Sequence, residues 1–369
     1  MQNLRDLYYL LALQRAKGVG DLTARKLIAA CGSAEAVFSE KLSLLSRIEG
    51  VGTMAVRAVR NKRNLIDAEK EMTWLEQQKI RVIPFTDPEY PFRLKHCPDG
   101  PLVLFVRGNV RLEAPRFLSV VGTRRITPRG MELTQKLVED LAPLGPTIVS
   151  GYAYGADICA HRAAINSGLQ TIACMAHGLD ITYPSAHKVY NESVMENGGF
   201  VTDFWHGEMP DRDHFLRRNR IIAGLSQAVV VVESAEKGGS LVTADIANSY
   251  NREVFAIPGR PEDPLSKGCN LLIKKHQAHL MESAADLIYM LGWDPDEDDH
   301  KVPVQKQLFV ELDATEELVV SRLQDSEKML LDDLAYTCDI PVHKLSATLL
   351  NMEMKGVVRP LPGKYFELV

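Results

Sequence analysis

Phe117 to Gly130 reads FLSVVGTRRITPRG, and this stretch sets the fold class. Phe117, Leu118, Val120 and Val121 form a short apolar run, the pattern of a buried strand. Gly122 ends it and lets the backbone turn sharply. Thr127 is placed to cap a following helix, with Pro128 at its first position. A strand, a glycine turn and a helix start together bring backbone N–H groups and a helix dipole to a point where an anion can sit. Arg124, Arg125 and Arg129 crowd the same point. From Arg107 to Gly130 the sequence holds six arginines against one acid, Glu113, in a chain whose net charge is −5. Charge and geometry therefore both point to phosphate. The loop has neither the G-x-x-x-x-G-K-[ST] pattern, absent from the whole chain, nor the spacing of G-x-G-x-x-G. The bland alternative is an ordinary strand-to-helix turn with solvated arginines.

Outward from this stretch, residues of about 80 to 290 alternate strands and helices, the sign of a parallel sheet with crossovers. The strand candidates are Val82–Phe85, Leu102–Val106, Phe117–Val121, Thr147–Val149, Thr171–Met175, Phe200–Thr202, Ala228–Glu233 and Val254–Ile257. The run from Ala228 to Val232 is apolar throughout, as in strands buried on both faces. Loops at the carboxyl ends of these strands carry Gly122, Gly151, Gly178 and Gly238, and that edge of an open α/β sheet is where ligands bind. Residues 1–75 read as short helices around two Gly-Val-Gly turns, at Gly18–Gly20 and Gly50–Gly52. They resemble paired helix-hairpin-helix units, which aim backbone N–H groups at phosphates without reading sequence; the glycines also suit plain interhelical turns. Residues 76–292 form the α/β core. The acidic run Asp294–Asp299 marks a solvated linker over 293–306. Residues 307–369 offer three helices, Glu316–Gln324, Leu330–Thr337 and Val342–Lys355, then a hairpin, Val357–Leu361 with Tyr365–Leu368, which resembles a winged helix. Its third helix would be the DNA reader of a typical regulator. With only His343 and Lys344 at its start it is too neutral for that, which favours a protein-contact or dimer role.

A second basic element, FLRRNRIIAGLS, runs from Phe215 to Ser226. Ile221, Ile222 and Leu225 form its apolar stripe. Arg217 and Arg220, three apart, share a face, with Arg218 and Asn219 beside them. Two readings stand. The guanidiniums pair with Asp203, Asp211 or Asp213, or they meet a polyanion together with the first basic loop.

Further stretches repeat this character: SGYAYGADICAHRAAI (Ser150–Ile165), GGSLVTADIANSYNREVFAIPG (Gly238–Gly259) and GCNLLI (Gly268–Ile273). With VVGTRRITPRG and RRNRIIAGLS they resemble the successive motifs of the DNA-processing protein A family (DprA, also called Smf), over roughly residues 84–290. The resemblance implies a doubly wound, mostly parallel, Rossmann-like α/β fold with a small helical N-terminal domain and a C-terminal winged-helix-like domain. It implies a single-stranded DNA-binding protein that receives and protects incoming DNA in natural transformation, loads the RecA recombinase onto it and forms a homodimer. The nucleic-acid-binding residues expected on this basis are Gly122, Thr123, Arg124, Arg125, Ser150, Gly151, Arg217, Arg218, Asn219, Arg220, Gly238, Gly239 and Ser240. Two loops depart from the family pattern. Tyr154 stands where an arginine is usual; it removes a charge but can stack on a base. Met175-Ala176-His177-Gly178 lacks a second glycine.

Composition narrows the function classes. With 46% hydrophobic residues the chain can build a core, and 25% charged is ordinary for a soluble protein. No apolar run reaches the ~18 residues of a membrane span. The six cysteines form no C-x-x-C pair, so a reduced, cytoplasmic setting is expected. Mild net acidity confines DNA binding to a local patch. The competing reading is a nucleotide-processing hydrolase, of phosphoribohydrolase type, with Gly238-Gly239-Ser240, Thr243 and Asp245 cradling a nucleotide phosphate. Against it, no G-x-S-x-G elbow and no acid pair at the strand ends is found. No catalytic residue, metal or cofactor is therefore expected. The metal-ligand types at His206, Glu208, Asp211, Asp213 and His214 read as a solvated loop, and His161 as a satisfied helical histidine rather than a base.

Overall fold

The structure, a computed structural model, describes residues 4–293, 312–324, 326, 328–361 and 363–368. The chain divides into two compact units, 1–278 and 279–369. The acidic run Asp294–Asp299 lies outside the described residues.

The first unit begins with six helices: α1 (Leu4–Arg15), α2 (Asp21–Cys31), α3 (Ala34–Ser39), α4 (Leu42–Leu45), α5 (Thr53–Val59) and α6 (Lys62–Gln77). The two Gly-Val-Gly turns fold alike. Gly18 and Gly50 both have φ near +79° (79° and 78°), and Gly20 and Gly52 are the N-caps of α2 and α5. Val19 and Val51 point into the core between them.

The sheet strands follow: β1 (Arg81–Pro84), β2 (Val103–Gly108), β3 (Phe117–Val121), β4 (Thr147–Ser150), β5 (Thr171–Cys174), β6 (Gly198–Thr202), β7 (Ala228–Val231) and β8 (Glu253–Ala256). Between them run α7 (Phe92–Lys95), α8 (Pro128–Leu141), α9 (Ala156–Asn166), α10 (Asn191–Glu196), α11 (Arg212–Leu225) and α12 (Gly239–Ser249), and α13 (Lys267–Lys274) follows β8. The spatial order is β1-β2-β6-β5-β4-β3-β7-β8. The last six are parallel, while β1 and β2 add an antiparallel edge. All eight candidate strands are present, with ends shifted by a few residues. The apolar residues of β3, β4, β5 and β7 are almost wholly buried, as strands covered on both faces require. From β3 the chain winds through β4 and β5 to β6 on one side, then returns to β7 and β8 on the other. The doubly wound order expected from the sequence is therefore present, and its switch point lies between β3 and β7.

The second unit contains β9 (His279–Leu280), α14 (Ala284–Leu291), α15 (Ala314–Gln324), β10 (Met329–Leu330), α16 (Leu331–Cys338), α17 (Val342–Met354), β11 (Val358–Leu361) and β12 (Tyr365–Leu368). Three helices and a sheet ordered β10-β12-β11 make the winged-helix pattern. Val319, Leu334, Leu345, Leu349 and Met352 form its core. Lys355 is held by buried Glu316, at 2.6 and 2.7 Å. Among the described residues no helix is long and apolar enough to cross a membrane.

Candidate nucleic-acid interface

At the switch point the carboxyl ends of β3 and β7 diverge, and a cavity of about 560 Å³ opens there. The loop after β3 contributes Gly122, Thr123 and Arg124, and α11 contributes Arg212, Phe215, Arg218 and Asn219. Gly238, Gly239, Ser240 and Thr243 come from the start of α12, Ala153 and Asp157 from the β4–α9 connection, and Tyr183 from beyond β5. Segments more than ninety residues apart in sequence thus meet at one crevice, because winding to both sides of β3 brings their loops to the same edge.

The two helix starts beside the cavity differ. Thr127 caps α8 through a 3.0 Å bond from the Gly130 N–H, with Pro128 at the first position, as the sequence implies. The anion at that helix start is the protein's own Glu233. It accepts from the Thr127 N–H at 2.9 Å and from the Thr127 hydroxyl. The expectation of a free phosphate seat at α8 is therefore corrected: a carboxylate from the end of β7 fills it. The start of α12 has no side-chain cap, and Gly239 faces open space. Ser240 is buried and donates to Ser234 at 2.9 Å. The open helix start on this cleft is that of α12.

Arg218 forms the floor. Only 4% exposed, it donates to the Gly151 carbonyl at 2.6 Å, to the Cys174 carbonyl and to Asn219 at 3.3 Å. A methyl group on Gly151 would lie 2.5 Å from this guanidinium, so the glycine of the serine-glycine pair makes room for Arg218. Ser150 is buried beneath, donating to the Val120 carbonyl at 2.6 Å. Ser150 and Gly151 therefore shape the floor without lining the cavity. Asp157 is buried next to Arg218 and accepts from the Ala153 N–H at 3.2 Å. Burial raises its carboxyl above the ordinary range against the opposing pull of Arg218, and burial lowers the Arg218 guanidinium from its own.

Arg217 and Arg220 are turned elsewhere. Arg220 is buried, bonded to Asp203 and the Asp99 carbonyl and 3.1 Å from Asp21 at the start of α2. Burial works against its charge, but Asp203 and Asp21 outweigh it and hold it above its ordinary value. Arg217 lies 3.0 Å from Asp203 and stacks over Phe204 at 5.0 Å. Neither lines the cavity, so the structure separates them from Arg218 and the basic loop. Of the two readings of this segment, pairing with Asp203 is the one the structure shows for Arg217 and Arg220, so their expected phosphate contacts are corrected, and of the three arginines Arg218 alone lines the cleft. The reason is helical geometry. Arg217 and Arg220 share a face, and that face meets Asp203 and Asp21. Asp211 instead caps α11, accepting from the His214 N–H at 2.7 Å.

Arg124 is exposed and stacks over Phe215 at 5.0 Å, while Arg125 is exposed on the same loop. Arg212, Phe215, Asp157, Thr243 and Tyr183 line the cleft yet were not in the expected set. Arg212 sits three residues before Phe215 in the first turn of α11, so the helical spacing could have found it. Tyr183 lies in an irregular loop with no such signal. His161 is fully buried, its Nδ1 2.7 Å from the Thr171 hydroxyl, and burial lowers its pKa to about 3, so it is neutral. His206 pairs with Glu71 and stacks on Trp74 at 4.7 Å, and Glu208 pairs with Arg15 at 3.0 Å. That loop thus fastens the core to α1 and α6. Among the described residues no three His, Cys, Asp or Glu side chains gather as a metal site.

Comparison with known proteins agrees with this architecture. Residues 81–292 match the family described as DNA recombination-mediator protein A, and residues 306–364 match the DprA winged helix domain. Protein Smf of Escherichia coli (strain K12) is 36% identical over 304 residues, 81% of this chain and 80% of that protein. The X-ray structure of DNA processing protein A from Streptococcus pneumoniae superposes with a TM-score of 0.64 at 32% identity, covering 76% of this chain and 96% of that one. DNA processing protein A from Helicobacter pylori, whose structure gives insight into that protein's single-stranded DNA binding mode, superposes at 0.52 with 32% identity, over 57% of this chain and 94% of that one. The chain belongs to the DNA recombination-mediator protein A family.

Proposed function

We propose that this chain binds single-stranded DNA in the cleft between β3 and β7, protects incoming strands and loads the RecA recombinase onto them in natural transformation. It acts in the cytoplasm as a homodimer, as a binding protein and not an enzyme. The observation that carries the reading is the convergence of Arg124, Arg212 and Arg218 on the uncapped start of α12 within one open crevice. Guanidiniums spread over several elements follow a backbone with repeated phosphates, and helix-start N–H groups receive one of them. In this reading Arg124, Arg125, Arg212 and the Gly238–Ser240 turn meet phosphate, over a floor to which buried Arg218 lends its charge. Gly122, Thr123, Ser150, Gly151 and Asn219 shape the crevice, while Arg217 and Arg220 hold α11 in place. The single-stranded binding addressed for the Helicobacter pylori protein supports the choice of substrate. The carboxylates lining the cavity are committed elsewhere: Asp157 to the Ala153 N–H and Asp211 to the cap of α11. That commitment favours binding over the hydrolase reading, which needs a free acid at the reacting atom.

Electrophoretic mobility shift on oligo-dT, beside an AMP-hydrolysis assay, tests the proposal. Arg124→Ala with Arg125→Ala is expected to weaken binding at unchanged melting temperature. It should also make the salt dependence shallower, by about 0.7 in log–log slope for each phosphate no longer neutralised. Unchanged affinity and slope would remove this loop from the site. AMP hydrolysis abolished by Asp157→Asn would favour the hydrolase.

A further inference from the structure

Tyr154 is 48% exposed, an aromatic ring left open beside a basic crevice. It follows Ala153, which lines the cavity, and precedes Gly155, whose backbone packs against that of Thr123 and Arg124. The backbone around Tyr154 therefore adjoins the basic loop, with the ring next to the residues that line the cavity rather than among them. The ring is held there by an edge contact with His187, centroids 4.8 Å apart and planes at 76°. His187 is buried and held in turn: its Nδ1 is 3.0 Å from the Tyr152 carbonyl, and its ring packs against Tyr152 and Tyr190 at 5.4 and 6.0 Å. The Tyr152 hydroxyl closes the arrangement, 2.9 Å from both the His187 carbonyl and the Asn191 side-chain oxygen. One side of Tyr154 thus rests on a fixed wall while the rest of the ring faces solvent.

Resting on the single-strand reading above, we propose that Tyr154 is a base-stacking platform beside the cleft, taking the base of a nucleotide whose neighbouring phosphate meets the Arg124–Arg125 loop. A ring already fixed by its surroundings loses little side-chain freedom when a base lands on it. In a single strand the base can turn its π-face outward; in a duplex both faces are covered by neighbouring pairs. The contact therefore selects single-stranded DNA over duplex, and over a polyanion without bases, which arginine–phosphate contacts alone do not do.

Fluorescence anisotropy tests this with oligo-dT and an abasic deoxyribose oligomer of equal length, each titrated with the native protein, Tyr154→Phe and Tyr154→Ala across a salt series. Tyr154→Ala is expected to lose about 5- to 150-fold in affinity for oligo-dT, corresponding to ~1–3 kcal/mol for a stacked base, at unchanged salt slope. Tyr154→Phe should stay within about twofold, since the ring and not the hydroxyl does the work. On the abasic oligomer all three proteins should bind alike. Equal oligo-dT affinity of Tyr154→Ala and native protein overturns the proposal, as does an equal loss on both oligomers, which would make the residue structural. Native protein that fails to bind oligo-dT sinks the single-strand reading itself, a result distinct from a stacking failure. Should Tyr154→Ala not fold, native protein and Tyr154→Phe must still both quench a 2-aminopurine base in the oligomer, and absence of quenching overturns the proposal.

Discussion

Arg218 and Arg220 stand two positions apart on α11, so their side chains leave the helix in different directions. Arg218 reaches the cleft, while Arg220 is surrounded by Asp203, Asp21 and the Asp99 carbonyl. Removing one partner of a buried pair leaves the other charge uncompensated, at about 3–5 kcal/mol. Arg220→Ala should therefore lower stability by that order while the folded fraction keeps its oligo-dT affinity. Exposed Arg212 should behave oppositely, its change to alanine costing affinity but not melting temperature. Urea unfolding and anisotropy on both variants check this, and Arg220→Ala that loses affinity without losing stability would return Arg220 to the phosphate set. The motif was legible in the sequence; its division between site and scaffold was not. Local spacing offered Asp203, Asp211 and Asp213 as partners, whereas Asp21 arrives from α2, far away in the chain. Buried His161 ties stability to pH. Its folded pKa of about 3 lies below the unfolded value near 6.5, so the unfolded state binds the extra proton. Its contribution is present above pH 6.5 and is lost as pH falls towards 3, at up to about 1.4 kcal/mol per pH unit. Between pH 7.5 and 5.0, His161→Gln should lose less stability in urea than the native protein, by about 2 kcal/mol. Parallel losses would show that His161 is not the group that titrates.

The helix starts divide the cleft's anion-binding capacity between two elements. The strand–turn–helix at Phe117–Gly130 was legible down to its cap, because Thr127 and Pro128 are local signals. What local signals could not reveal is that Glu233, at the end of β7, closes that helix start from across the switch point. The consequence is a division between two neighbouring elements: α8 is satisfied internally, and α12 is left uncapped on the cleft. Glu233 also fastens the loop itself, since its backbone carbonyl accepts from the Thr123 N–H at 2.7 Å. A carboxylate spent in this way anchors the base of the loop while Arg124 and Arg125 remain at its exposed tip. The same contrast appears in the two Gly-Val-Gly hairpins, whose turn geometry the sequence implies and whose valines the core then claims.

Across the whole molecule charge is distributed unevenly. The chain carries −5, yet the cleft of the first unit is lined by Arg124, Arg212 and Arg218. The second unit points the other way: from Asp313 to Leu368 the sequence holds ten acids against six lysines and arginines. Within it Lys355 is spent on Glu316, and Arg359 on Glu367. At the start of α17, where a winged helix would read DNA, His343 and Lys344 are exposed. A phosphate reader needs several unspent cations on one face, since each neutralised phosphate adds to affinity and to its salt dependence. On these grounds we propose a protein contact rather than a nucleic-acid contact for this unit, since an acid-rich balance opposes non-specific approach to DNA. His343→Ala with Lys344→Glu is accordingly expected to leave oligo-dT affinity within about twofold of native, with the same salt slope. The Arg124→Ala, Arg125→Ala protein, measured alongside, should weaken and flatten. If the charge reversal on α17 weakens binding and flattens its slope as the cleft variant does, the winged helix takes part in holding DNA and the division of labour between the two units is wrong.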